Sequence, residues 1–476
     1  MPRAKFLSAL AATAVTPLYA VGATGTMPSP ARIADLVRAE FLHAWNGYKR
    51  FAWGHDEVRP VTGTTHDFFI EGHSLGLSII EAMDTLYVMG LDDELQGCVA
   101  WLRANMNFDV DGDVQMFEAV IRMVAGLTTG YHATGERFLL DGARDLADRL
   151  LPCFTKSPTG APYRYANLRT GAVRDPLSNL AEIGTNILEF GELSRLTGDP
   201  KYLAASKKAY RAVMAHTSTI GLLGTYFDVE KGVFTETVDV APDEPVDSFY
   251  EYLWGGRQML GDADCREWYA RLTPPILKYK AVRVNGLLWF QPVDYLTGMP
   301  TGDHTQSELA AFYAELVAKG GNRTVGAAYY DSYTAVANKY GLIPESFDYT
   351  TLTADPADPG YQLRPEYANA AFDLWFLTRD QKYRETAYAH FLQMQKNCRV
   401  ANGYTILKDV RTAPMIQGDL FPAYAFSENF KYLYLMFADS PRFNGAGYYL
   451  NTEGKILRGL KQNPKLAGQA PLVGAG

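Results

Sequence analysis

The chain has none of the compact motifs that announce metal-dependent peptide hydrolysis or nucleotide chemistry. There is no H-E-x-x-H, no G-x-x-x-x-G-K-[ST] loop and no G-x-G-x-x-G behind a strand pattern. Zinc hydrolases and nucleotide enzymes lose their support, and a serine hydrolase is not expected either. Cysteine is scarce: Cys98, Cys153, Cys265 and Cys398 lie far apart with no C-x-x-C spacing, which argues against a cysteine metal site. Basic clusters are also missing, and the formal net charge is −8, so neither nucleic acid nor an anionic membrane is an expected partner. No apolar run is long enough to span a bilayer.

What the chain does have is apolar and aromatic mass. Of 476 residues, 47% are hydrophobic and 21% charged, enough for a large buried core. Thirty Tyr and seven Trp exceed the demands of packing and suit proteins that present rings to sugars. The N-terminus reads as an export signal over residues 1–23: Arg3 and Lys5, an apolar stretch from Phe6 to Val15, then small residues near Ala20 and Ala23. Pro17 breaks that stretch, so no membrane anchor is expected; losing Arg3 and Lys5 with no acid moves the charge from −8 to −10. Export to a periplasm or outside the cell makes a disulfide possible, without fixing its pairing. Asn322-Arg323-Thr324 is the single glycosylation sequon.

A degenerate repeat organises the rest. Thr134-Gly135-Glu136-Arg137-Phe138 recurs as Thr197-Gly198-Asp199-Pro200-Lys201-Tyr202 and as Thr378-Arg379-Asp380-Gln381-Lys382-Tyr383. Gly suits the end of one helix, and the acidic residue and Pro suit the first turn of the next. Repeated helical hairpins of this kind build a solenoid or a closed ring. Residues 24–476 therefore read as one all-helical domain with small β elements at its ends. In a closed ring, inner helices would turn a polar face to a lumen. Leu180–Leu196 fits, with Leu180 and Ile187 on one face and Glu182 and Glu189 on the other.

Between Val114 and Gly135 only Glu118 and Arg122 are charged, one helical turn apart. Ala119, Ala125, Gly126 and Thr129 lie near them, and these small side chains suggest room for a water and a sugar. Such a shielded pair is either a buried structural ion pair or part of an active site. Glu366 opens a helix behind Arg364 and Pro365, with Pro365 expected at its first position and the helix dipole favouring ionised Glu366. Asp247 reads as the N-cap of an aromatic helix. Glu428 is expected half-buried on an aromatic helix, and Thr452 reads as a plain turn. Carboxylates on a helical scaffold rich in aromatics suggest glycan chemistry, for which two carboxylates suffice.

These segments, in this order, resemble the class I α-mannosidases, glycoside hydrolase family 47. The blocks are Trp53-Gly54-His55-Asp56-Glu57, residues 81–91, Phe117-Glu118 with Ile121-Arg122, Leu180-Ala181-Glu182, the Thr197 turn, residues 247–253, Arg364-Pro365-Glu366, Glu428 with Lys431-Tyr432, and Asn451-Thr452-Glu453. The resemblance implies an (α/α)7 barrel closed at one end by a β-hairpin, and a Ca²⁺ at the base of the pocket. It implies an exo-acting enzyme that hydrolyses terminal α-1,2-linked mannose from oligosaccharides with inversion. Carried over by position, Glu118 is the general acid acting through a water and Glu366 the general base. Asp247 is the third catalytic carboxylate, for which acid and base roles are both open, and Thr452 is the calcium ligand. Arg122, Glu182, Arg364, Tyr424 and Glu428 become substrate-binding residues, and a monomer is expected.

Departures from the family pattern fall at Asn369, where many members carry a second acid, and at Gly286, often His. Trp289 replaces a cysteine, and Pro245 replaces a basic residue that contacts the leaving sugar. The rival reading from another class is a mannose-glycan-binding, lectin- or chaperone-like relative without hydrolysis. A sugar epimerase or other glycosidase on an α/α barrel is a third.

Overall fold

Helices that are apolar almost all round alternate along the chain with helices that bear a single apolar stripe, and the alternation builds two concentric rings. The computed structural model describes residues 27–461; the export signal expected over residues 1–23 lies outside them. The striped helices are α1 (Pro30–Phe51), α3 (Asp92–Asn105), α5 (Arg137–Leu150), α7 (Lys201–Met214), α9 (Ala263–Pro275), α11 (Arg323–Tyr340) and α13 (Gln381–Cys398). Between them run α2 (Leu77–Val88), α4 (residues 116–134), α6 (180–197), α8 (Ser248–Met259), α10 (309–319), α12 (Glu366–Thr378) and α14 (424–437). In α2 every residue is buried, whereas α5 buries only the stripe Leu139, Leu140, Ala143, Leu146, Ala147 and Leu150. A helix with no polar face must be enclosed, so the even-numbered helices form the inner ring. Each touches the next, and α14 returns to α2; every outer helix packs on an inner neighbour. This is the (α/α)7 barrel that the family resemblance implied, and it resolves the choice between solenoid and ring in favour of the ring.

The repeated turns have one geometry. Gly135 and Gly198 take left-handed conformations, with φ of 75° and 73°, and end α4 and α6. At each turn the threonine hydroxyl donates to the carbonyl four residues back and accepts the N–H of the acidic residue two ahead. Arg379 adopts the same conformation (φ 62°), which costs a residue with a Cβ. Its guanidinium stacks over Trp375 at 4.0 Å, a compensation glycine would not need.

Several expectations require correction. The inner helices are interrupted. α4 includes a π-helical stretch, Ala119–Val124, and α6 breaks at Thr185-Asn186, whose side chains are paired with Ser248, Ile183 and Ser206. β elements are not confined to the ends of the domain. Short antiparallel sheets join the helices throughout, and three feed directly into inner helices at Gln115, Asn179 and Ser307. All four cysteines are buried and free. The small residues of α4 serve helix packing: a Cβ on Gly126 would lie 2.6 Å from Ile80, and one on Gly130 2.1 Å from Met83.

One end of the ring is plugged by a hairpin, Tyr449–Leu450 and Ile456–Arg458, whose turn is fastened from every side. Asn451 Nδ2 donates to the Ile121 carbonyl at 3.1 Å and to Glu189 Oε1 at 2.8 Å. Lys431 Nζ reaches the Gly454 carbonyl at 2.5 Å and Asp84 at 2.7 Å. Lys455 Nζ binds the Glu81 carboxylate and Ser427 Oγ, and the Ile456 N–H donates to Asp84. Buried charges are costly unless paired and hydrogen-bonded, and here each cation meets a carboxylate.

Glu189 lies beneath this plug, enclosed on all sides. Its Oε1 accepts from Tyr252 at 2.7 Å and from Asn451, while Oε2 has no donor. Burial pushes its pKa up to about 7. Folded protein thus retains a proton that the unfolded chain releases at about pH 4.3, so stability falls as pH rises between those values, by about 1.4 kcal/mol per unit. In Glu189→Gln that slope should vanish. Urea unfolding should show the variant gaining on the wild type from about pH 4.5 to 7, then levelling. Parallel stability curves would mean that Glu189 is ionised in the fold.

Candidate active site

Above the tip of the plug, the N-terminal ends of the inner helices surround a cavity of about 330 Å³, small for a ligand pocket and sized for one sugar ring and its neighbours. Eight carboxylates line it (Glu118, Glu182, Glu244, Asp247, Glu251, Glu366, Glu428 and Glu453) against three guanidinium groups, Arg122, Arg164 and Arg364. That excess of acid suits a neutral polyol, and it disfavours an anionic ligand. Helix N-termini facing the cavity offset part of the negative charge.

Arg122 organises the floor. Its Nε donates to Glu118 Oε2 at 2.6 Å, and one terminal nitrogen reaches Glu453 Oε2 at 2.5 Å and Glu81 at 3.6 Å. Its plane lies 5.4 Å from the ring centres of both Phe68 and Tyr424. Burial works against the cation, yet Glu118, Glu453 and Glu81 hold its pKa well above the usual arginine value. Tyr424 also stacks beneath Arg364, at 5.8 Å, and its hydroxyl is tied to the Gln362 carbonyl. One ring therefore spaces two guanidinium groups. Arg364 in turn donates to Glu345 Oε2 at 2.9 Å.

Asp247 caps α8: Oδ1 accepts the Ser248 N–H at 2.6 Å and the Ser248 hydroxyl at 3.1 Å. Burial raises its pKa; the Ser248 bonds and Arg364 oppose that, and Glu118 adds to it. Glu366 is the first residue of α12, with Pro365 in the cap position instead of the first helical position. The expected effect of the helix dipole is outweighed: burial raises the Glu366 pKa, although Arg364 and a hydrogen bond with Glu308 lower it. Glu428 occupies the kink between the two halves of α14, more deeply buried than expected. Burial and the nearby Glu453 and Glu366 carboxylates push its pKa well up. Glu182 is largely committed to its own surroundings, capping its helix through Asn179 and accepting from Gln115 and Arg164, each at 2.8 Å. Thr452 stands at the hairpin tip in the cavity wall, which it shares with Glu251.

All nine residues singled out from the sequence line this one cavity. Sequence reasoning assigned no role to Glu251, Glu453, Arg164 or Glu244. Glu251 was findable, since it lies one turn after Asp247 on the same helix. Glu453 and Glu244 sit in turns that carry no periodic signal. Among the departures, Pro245 and Asn369 line the cavity. Gly286 lies away from it, in an exposed Asn285-Gly286 hairpin turn with φ of 52° and 84°. Trp289 is wholly buried against Tyr333, Phe347 and Tyr349.

Gly72-His73-Ser74-Leu75-Gly76 spells G-x-S-x-G, yet its surroundings do not support serine chemistry. Ser74 sits in a loop outside the cavity, and only the isolated bridge of Ile70 with His73 precedes it. Its hydroxyl donates to Asp67 and meets His55 Nδ1 at 3.1 Å, so the acid holds the serine and does not orient the histidine. A nucleophile elbow has the opposite wiring.

Residues 40–459 match the sequence profile described as glycosyl hydrolase family 47. The chain is 31% identical to mannosyl-oligosaccharide 1,2-α-mannosidase IB of Mus musculus, over 94% of this chain and 74% of that protein. It is 32% identical to a mannosyl-oligosaccharide 1,2-α-mannosidase of Arabidopsis thaliana, over 90% and 79%. The α-1,2-mannosidase of Trichoderma reesei superposes with a TM-score of 0.82 at 24% identity, covering 92% of this chain and 100% of that one, which establishes a shared fold. A barrel of seven helix pairs, an acidic sugar-sized cavity and a profile match along nearly the whole chain converge: this protein is an enzyme of glycosyl hydrolase family 47.

Proposed function

We propose that the protein is an exported, calcium-dependent exo-α-1,2-mannosidase that inverts the anomeric carbon. The observation that carries this reading is the distribution of Glu118, Asp247 and Glu366 over three inner helices around one cavity. Inversion needs a proton donor and a base on opposite sides of the sugar, with space between them for a water. Carboxylates on one helix could not give that separation; carboxylates on α4, α8 and α12 can.

In this reading Glu118, oriented by Arg122, passes a proton through a water to the departing glycosidic oxygen. The Arg122 Nε bond to Glu118 Oε2 fixes the direction in which the carboxyl faces the cavity. Glu366 takes a proton from the attacking water, whose oxygen bonds to the anomeric carbon as the glycosidic bond breaks. Its raised pKa makes it a better base than a free carboxylate, and Arg364 keeps it charged enough to act. Asp247, with Oδ1 occupied by Ser248, presents its other oxygen to the ring.

The donor set at the hairpin tip suits a hard cation. Thr452 offers hydroxyl and carbonyl oxygens beside Glu251, Glu428 and Glu453, whose pKa values are all raised by burial, with neighbouring carboxylates adding to the effect. Among the described residues no three His, Cys, Asp or Glu side chains converge to chelate a metal directly, so waters would complete the shell. When bound, Ca²⁺ would hold sugar hydroxyls and favour a distorted ring. A glycan-binding relative without hydrolysis would have no need of an acid and a base placed around the same ring.

Glu118→Gln and Glu366→Gln should each lower kcat on an α-1,2-linked mannobiose by about 10²–10⁴-fold, with an unchanged circular dichroism spectrum. Near-normal turnover would remove that residue from the mechanism. EDTA should abolish mannose release and lower Tm, and Ca²⁺ should restore both. Full activity in EDTA would sink the metal assignment.

A further inference from the structure

Glu308 is a buried acid that no step above uses. It follows the strand Thr305–Ser307, stands immediately before α10, and is fully enclosed. Its Oε1 accepts the Tyr367 N–H at 3.4 Å, a long contact, and its Oε2 has no other donor. Glu366 faces it, with an Oε2 that is also buried and without a donor, and the two carboxyl groups lie within hydrogen-bond reach of each other. Two carboxylates cannot both stay charged in such an enclosure; one proton held between them resolves the arrangement.

The surroundings decide which partner holds it. Arg364 is the cation facing the pair, and it acts more strongly on Glu366. The Glu366 carboxyl also belongs to the first residue of α12, where the helix dipole favours charge. Glu345 and Glu428 bring negative charge from other elements, and the phenols of Tyr333, Tyr361 and Tyr424 close the enclosure. Burial and the Glu366 charge together push the Glu308 pKa well up.

We propose that Glu308 is a positioning residue for the catalytic base: it keeps its proton, donates it as a hydrogen bond to Glu366 Oε2, and leaves the other Glu366 oxygen for the attacking water. The Glu308 proton is never transferred. It fixes the orientation of the Glu366 carboxylate and favours its charged form, as a donor to an anion does. The inference rests on the reading of Glu366 as the base.

Two variants and two readouts test it. Infrared difference spectra at neutral pH, wild type minus Glu308→Gln, should show the loss of one protonated-carboxyl C=O band. In Glu308→Leu, which removes the donor, the acid limb of kcat should move up by about one pH unit. Its kcat should fall by about 10–100-fold with KM unmoved. Glu308→Gln retains an amide donor, so its acid limb should stay in place and its loss in kcat should be smaller. A natively folded Glu308→Leu with an unmoved acid limb would overturn the proposal, as would a difference spectrum in which no protonated band is lost. If the wild type released no mannose, the mannosidase reading would fall, and the infrared result would still decide whether Glu308 carries the proton.

Discussion

The guanidinium of Arg122 is the constraint on which the cavity depends. It is buried, it is pinned between the faces of Phe68 and Tyr424, and it answers three carboxylates from different parts of the chain. Glu118 belongs to its own helix, Glu81 to the neighbouring inner helix, and Glu453 to the plug. Removing the cation would leave three acids facing one another in a largely buried floor, a penalty that no surface charge could relieve. Arg122 therefore forms the buried structural ion pair and also lines the cavity, so the two readings that its sequence context offered do not exclude each other.

A layered logic follows from that point. Beneath the cavity, Lys431 and Lys455 meet Asp84 and Glu81, so the plug is locked by matched charge. Within the cavity, acids outnumber cations, and burial raises the pKa of Asp247, Glu366 and Glu428 alike. An excess of acid directly above a neutralised base is poor design for stability alone. It becomes intelligible if the upper layer receives protons, a cation and sugar hydroxyls.

The sequence carried much of this because its signals were local. The Thr-Gly-acid turns are legible wherever a helix must end and another begin, since the left-handed residue and the threonine bonds involve only a few neighbours. Glu118 and Arg122 stood out because their helix has no other charge. What remained hidden depends on distant contacts. Gly126 reads equally well as space for a ligand or for Ile80, and only packing chooses between them. The break at Thr185-Asn186 is held by Ser248 and Ser206, which lie on other helices. The effect of burial on Glu366 outweighs the helix dipole that a local reading credits. Glu308 gave no signal at all, because its meaning comes from a carboxyl fifty-eight positions away in the chain.

The central claim is that acid and base lie on opposite sides of a single sugar ring. The stereochemistry of the first product tests it most directly. Proton NMR during the first turnovers on an α-1,2-linked mannobiose should show β-mannose appearing before mutarotation supplies the α form. Initial α-mannose would contradict the account, because it would require a covalent intermediate and carboxylates placed too close for an intervening water.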